Sequence, residues 1–273
     1  MRIVMVCTCM VLLQAFAFGQ DGIPPAADDI VVRTPRADYR LLPNPSLREA
    51  DLFYEKRVWE VLDTREKINL PFRYPGKELF TLLNEAVLKE KLTAYSPEKD
   101  DFSRPMSVNE VSALLTTVDT VPILDVETMN EYYQVISNPI NPETIIRYKI
   151  KEVWYFDAQY STLRVRILGI APLVTEYDAD GNFKWERPLF WVYYPEARKV
   201  LAGQNFFNPY SNDKKTMTWE DLFEMRQFSS YIVKEGNVYD RRLQDYLAGR
   251  DLLLEADKIK QGRINFEEDL WSR

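Results

Sequence analysis

From Ile145 onward, apolar and charged residues alternate with a period of two. Ile146, Tyr148 and Ile150 interleave with Arg147, Lys149 and Lys151, which predicts a strand over about 145–157. Leu163, Val165 and Ile167 interleave with Arg164 and Arg166, which predicts a second strand over 162–177. Phe183, Trp185, Leu189, Trp191 and Tyr193 share one parity, with Arg187 the exception, and predict a third over 182–194. Phe190 and Val192 make both parities apolar near its end, so that end is expected to be covered on both faces.

Helical spacing flanks these strands. Ser46-Leu-Arg-Glu49 matches a capping box, and Leu47, Tyr54, Val58 and Val61 recur at helical intervals up to the break at Asn69-Leu-Pro71. Leu52, Trp59 and Leu62 widen that stripe. A second helix is expected over Lys77–Leu92, with Leu79, Leu82, Leu83, Ala86 and Val87 inward. Ser107-Val-Asn-Glu110 is another capping box, opening a short helix through Leu115. A β-like run covers Thr120 to Val126. Near the C-terminus, Thr218 suits an N-cap, with Glu220 and Asp221 in the first turn. Tyr239–Ala248 and Arg250–Gln261 read as two further helices separated by Gly249.

The expectation is an α+β fold: a central antiparallel sheet of about three or more strands flanked by helices, with an extended proline-rich N-terminal arm. In outline, 47–118 is helical, 145–194 is the sheet, and 218–262 is helical, all in one domain over 47–273. Before it, residues 20–46 carry Pro24, Pro25, Pro35, Pro43 and Pro45, which suit an extended arm. Ile30-Val31-Val32 and Leu41-Leu42 give that arm apolar clusters that could dock on a neighbour.

Residues 1–19 have the anatomy of a cleaved secretory signal: Arg2, an apolar run from Ile3 to Phe18, then Ala17 and Gly19. Its removal would take away Cys7 and Cys9, leaving no cysteine, and would shift the net charge from −7 to −8 by the loss of Arg2. An acidic balance argues against nonspecific nucleic-acid binding. The chain has no histidine, so Ser-His-Asp and Cys-His catalysis are excluded, and the usual zinc, copper and haem ligands are missing.

Three local patterns suggest chemistry. TEYDADGNFKWE (175–186) places Asp178, Asp180 and Asn182 as a calcium loop would. Phe183 and Leu189 then stand where that loop needs Gly and Glu, so the reading falls. Asp180-Gly181 instead suits the centre of a type I′ hairpin turn. That turn sets a register in which Leu173 faces Pro188 and Pro172 faces Leu189, with a bulge, bend or edge at the prolines. Ser96-Pro-Glu-Lys99 fits a serine-acylation motif, but Ser211-Asn-Asp213 and Lys215-Thr-Met217 depart from its required companions. Paired carboxylates among 42 acidic residues could serve glycoside hydrolysis, with aromatics to stack sugars, yet the signal has no specificity. No catalytic, metal or cofactor residue is assigned on these grounds.

Four segments together carry a resemblance: RVWEVLDTREKINLPFRYP (57–75), AYSPEKDDF (94–102), KEVWYFD (151–157), and the long block 206–246 that begins FFNPYSNDKKTMTWEDLF. The combination resembles the GldN family of gliding-motility proteins, called PorN in non-gliding species, of the type IX secretion system. The resemblance implies a non-enzymatic periplasmic component at the inner face of the outer membrane. It also implies rings formed with an outer-membrane lipoprotein of the GldK/PorK kind. Contacts with the inner-membrane motor proteins GldL/PorL and GldM/PorM are implied too, with no nucleic acid, cofactor or small-molecule substrate. The alternative from the residues is a periplasmic carbohydrate-binding or carboxylate-dependent hydrolase domain.

Overall fold

The computed structural model describes residues 41–124, 131–178, 181–206 and 217–271. The expected leader, nearly all of the arm, and Asp180 lie outside the described residues. All of the described residues fall in one compact unit, 38–273.

Its elements follow in chain order. Strand β1 is Leu52–Asp63, helix α1 is Leu79–Leu88, β2 is Ala94–Tyr95 and α2 is Val108–Leu114. A ribbon follows, β3 at Thr116–Leu124 and β4 at Glu131–Pro139. Then come β5 at Arg147–Asp157, β6 at Thr162–Tyr177, β7 at Phe183–Pro188 and β8 at Trp191–Tyr193. Helix α3 spans Tyr194–Ala202, and short strands β9, Asn205–Phe206, and β10, Met217–Thr218, pair with each other. Helix α4 is Trp219–Glu224, β11 is Tyr231–Glu235 and α5 is Gly249–Trp271. The main sheet has seven strands in the order β11-β1-β5-β6-β8-β2, with β7 also pairing β6. The pairings within it are antiparallel.

The α+β reading and the antiparallel sheet hold, and β5 and β6 fall where alternation placed them. The first expected helix does not form, so the helical stretch 47–118 needs correction. Residues 52–63 are β1, a strand between β11 and β5. Val58 to Asp63 are all buried, so apolar residues occur at both parities and match a helical period as readily as a strand one. Ser46–Glu49 forms no capping box: a 3-10 turn starts at Glu49 with Arg48 before it and no side-chain cap. Within 218–262, Tyr231–Glu235 forms the strand β11 where helix was expected. Tyr239–Ala248 is not a helix, because the Asn237 side chain binds the backbone of Glu235, Tyr239 and Arg241 and competes with helical bonding. The third strand breaks in two at Leu189–Phe190 and gives way at Tyr194 to α3, with a proline in its first turn.

Both helix caps read near Ser107 and Thr218 are present as reciprocal capping boxes, Ser107 with Glu110 and Thr218 with Asp221. The hairpin register also holds: Leu173 pairs Pro188, and the Leu189 amide donates to the Pro172 carbonyl at 2.9 Å. The turn itself is one residue wider than expected. It closes on Asp178 and Asn182, with Gly181 at φ +80°, and a bulge between Glu176 and Tyr177 absorbs the extra residue.

One sheet face carries two packed clusters. In the larger, Leu62, Tyr148, Ile150 and Val192 meet Leu79 and Leu83 of α1, Leu201 of α3 and Phe223 of α4. In the smaller, Val58, Trp154 and Ile232 meet Leu243 and Ala256. There α5 offers Leu252, Ala256 and Ile259, then sets Arg263 over Trp154 and stacks Phe266 on Tyr54. The opposite face carries a smaller cluster of Trp59, Ala171 and Trp191, closed by Tyr95 and Phe102. Gly169 admits that closure, since a Cβ there would meet the Phe102 ring at 2.5 Å.

Candidate functional site

Between the two clusters of the first face, β1 and β5 place Glu60 and Glu152 in the interior, the latter with no exposed surface. Helix α4 ends in a Schellman turn: Gln227 donates to the Leu222 carbonyl and Arg226 to that of Phe223. The residue after its C-cap is Arg226 at φ +50°, where glycine is the usual occupant. That conformation aims the guanidinium at both carboxylates, 2.6 Å from Glu152 and 3.3 Å from Glu60. Trp154 Nε1 donates to Glu152 at 3.1 Å, and Ser230 Oγ donates to Glu60 at 2.5 Å. Asn69, fully buried, anchors the following turn by bonding both the amide and the carbonyl of Ser229. Burial, and then the neighbouring Glu60, push the Glu152 carboxyl above its ordinary range, against the pull of Arg226. This is a closed structural network, in which each carboxylate has hydrogen-bond partners.

The opposite face is cationic. Arg147, Lys149 and Lys151 lie there on β5, opposite Asp63, Val61 and Trp59 of β1. Their alternation reads as a solvated face or a surface for an acidic partner, but two of the three are already paired. Arg147 binds Asp63 at 3.1 Å and Glu186 at 2.7 Å. The Asp63 carboxyl is held well below the usual carboxylate range, first by Arg65 and also by Arg147. Lys151 is buried, donates to the Asp100 backbone carbonyl and lies 3.3 Å from its carboxylate. Trp59 sits between Lys151 and Lys234, whose ammonium groups lie 5.5 and 4.3 Å from its ring. Lys234 in turn pairs with Asp240 at 2.5 Å.

Lys149 is different. Its ammonium stands 5.8 Å from the Trp191 ring and has no ion pair among the described residues. Burial, and then the positive charge of Arg242, lower its pKa to about 8. It lines a cleft of about 420 Å³ with Arg147, Lys184, Trp185, Glu186 and Arg242.

The other candidate residues stay apart from both places. Asp178 Oδ1 accepts from the Asn182 amide, a turn-stabilising bond. Ser96 is buried, its Oγ accepting from the Glu98 amide, while Lys99 is exposed. Among the described residues no group of three or more metal-ligating side chains converges. The Arg226 network left no sequence motif, since its members come from β1, β5 and the turn after α4.

These features define a class: an α+β protein whose charged groups serve closure of the sheet on one face and form a cationic cleft on the other. The chain matches the family described as gliding motility associated protein GldN over residues 47–272, and it belongs to that family. No curated protein matches it.

Proposed function

We propose that the chain is an exported, non-enzymatic structural subunit of the type IX secretion and gliding machinery. In this reading it acts in the periplasm, self-associates into rings with an outer-membrane lipoprotein of the GldK/PorK kind, and contacts motor proteins of the GldL/PorL and GldM/PorM kinds. The observation that carries it is the family match, which spans the described fold from β1 through α5. The leader pattern at 1–19 supports export, and the proline-rich arm at 20–46 supports a tether to a neighbouring subunit or to the lipoprotein. No helix among the described residues is long and apolar enough to cross a membrane. A carboxylate-dependent hydrolase gains nothing from the structure. The buried carboxylate pair that does come together, Glu60 and Glu152, is already taken up by Arg226, Ser230 and Trp154.

The test is a pull-down of the tagged protein from envelope extracts of its native cells. Recovery of a lipoprotein together with motor subunits is expected; recovery of the protein without them would reject the reading. Deleting residues 21–45 is expected to disrupt rings seen by electron microscopy, and unchanged rings would remove the arm from the account.

A further inference from the structure

The cleft beside β7 has three properties that belong together. It is lined by four cations, Arg147, Lys149, Lys184 and Arg242, and by one carboxylate, Glu186. Arg147 holds that carboxylate at 2.7 Å, and the other three cations have no ion pair among the described residues. The cleft therefore presents a surplus of positive charge in a chain whose net charge is −7.

Its second property is direction. Successive strand residues point to opposite faces, so a cleft lying over one face touches every other residue. This one takes alternate residues of β5, Arg147 and Lys149, but the consecutive residues Phe183, Lys184, Trp185 and Glu186 of β7, so it lies over the cationic face and reaches the β7 backbone at one side. β7 pairs with β6, and no other strand among the described residues covers its outer edge of N–H and C=O groups. The third property is an apolar wall. Phe183 and Trp185 are 61% and 54% exposed, and Leu173 and Pro188 also line the cleft.

We infer that this cleft receives an extended acidic segment of a partner polypeptide, which adds to the free edge of β7. Its main chain pairs with β7, its carboxylates meet Lys149, Lys184 and Arg242, and its apolar side chains cover Trp185. Charge complementarity selects the occupant: a basic or neutral strand would leave the three cations unpaired, and an anion without a backbone would leave the edge unused. The inference rests on the reading of the chain as an assembly subunit, for which it names one partner surface.

The test is a fluorescence titration of the full chain with an acetylated, amidated hexapeptide of alternating Glu and Val, reading the summed tryptophan emission, to which Trp185 is one of six contributors. The Gln-Val and Lys-Val counterparts, glutarate and inorganic phosphate are titrated in parallel. A saturable change with Glu-Val is expected, absent in Trp185→Phe and weakened at least about tenfold in the Gln-Val peptide. Lys184→Gln combined with Arg242→Gln, at two exposed positions, is expected to weaken Glu-Val binding by a similar factor at unchanged Tm. No saturable change, or equal binding of Gln-Val, would overturn the inference. Glutarate or phosphate binding as tightly as the peptide would also overturn it, by reducing the cleft to a small-anion site. Failure here with successful recovery of the envelope partners removes only this surface. Peptide binding without those partners removes the assembly reading instead.

Discussion

The two faces of the sheet handle buried charge in opposite ways. On one, two carboxylates and an arginine close on each other, with Ser230 and Trp154 supplying the remaining donors. On the other, Arg147 and Lys151 are paired by Asp63, Glu186 and Asp100, while Lys149 is left over beside an open cleft. A closed network specifies how elements pack. A surplus charge costs stability until something binds it, so it marks where the fold is unfinished by itself. The difference also shows in the backbone. Arg226 accepts a left-handed conformation to reach its carboxylates, whereas Lys149 sits in regular strand and makes no ion pair among the described residues.

The largest test of this contrast is Arg226. Arg226→Met leaves Glu60 and Glu152 buried without their cation and is expected to destabilise the fold by about 3–5 kcal/mol, measured by urea unfolding. Arg226→Gly separates the two roles of the residue. It relieves the φ +50° backbone, a gain of roughly 1 kcal/mol, but leaves the carboxylates unpaired, so net destabilisation is still expected. If Arg226→Gly proves as stable as the parent, the network is not what holds this face. The pH dependence has a definite sign. Glu152 keeps its proton in the fold above the pH at which the unfolded chain releases it. Its burden on stability therefore grows as pH rises above about 4.5, and the loss in Arg226→Met should shrink as pH falls toward that value.

The parts legible in the sequence were those whose signal is local. β5 and β6 alternate because each has a face with charges, and the expected register of β7 holds beyond Glu176 because a bulge offsets a turn one residue wider than expected. Thr218 and Ser107 announce their helices because a capping box is complete within four residues. β1 reads as a helix for a physical reason: it lies inside the sheet and is buried on both faces from Val58 onward, which erases the period. The site was less legible still. Arg147, Lys149 and Lys151 were visible as a charged row, but which of them lacks a partner depends on Asp63, Asp100 and Glu186, brought in from three other segments. Arg226 offered no signal, since a basic residue near a helix C-terminus is ordinary.

Lys149 gives the intermediate effect, and it runs opposite to that of Arg226. Lys149→Met removes a cation that has no ion pair among the described residues from a largely buried position and is expected to stabilise the fold by roughly 1–2 kcal/mol at pH 7. The lysine is held to a pKa of about 8 against 10.5 in the unfolded chain, so the folded state sheds its proton first. Its cost is full below about pH 8 and is relieved as pH climbs to 10.5. The advantage of Lys149→Met should therefore fade over that window. An advantage that stays constant with pH would mean that packing, and not charge, sets the difference between the faces.

The smallest stability effect is expected at Lys184, and it separates folding from recognition. The side chain is exposed, so Lys184→Gln should change unfolding free energy by no more than about 0.5 kcal/mol. Its removal takes from the cleft one of the three cations that have no ion pair among the described residues, so the salt dependence of acidic-peptide binding should flatten even though the fold is unmoved. The pairing of a null result in urea with a measurable change in titrations at low and moderate salt is what distinguishes a surplus charge kept for a partner from one merely tolerated. Equal salt dependence in the parent and in Lys184→Gln would place Lys184 outside the recognition surface and leave Lys149 and Arg242 to account for it.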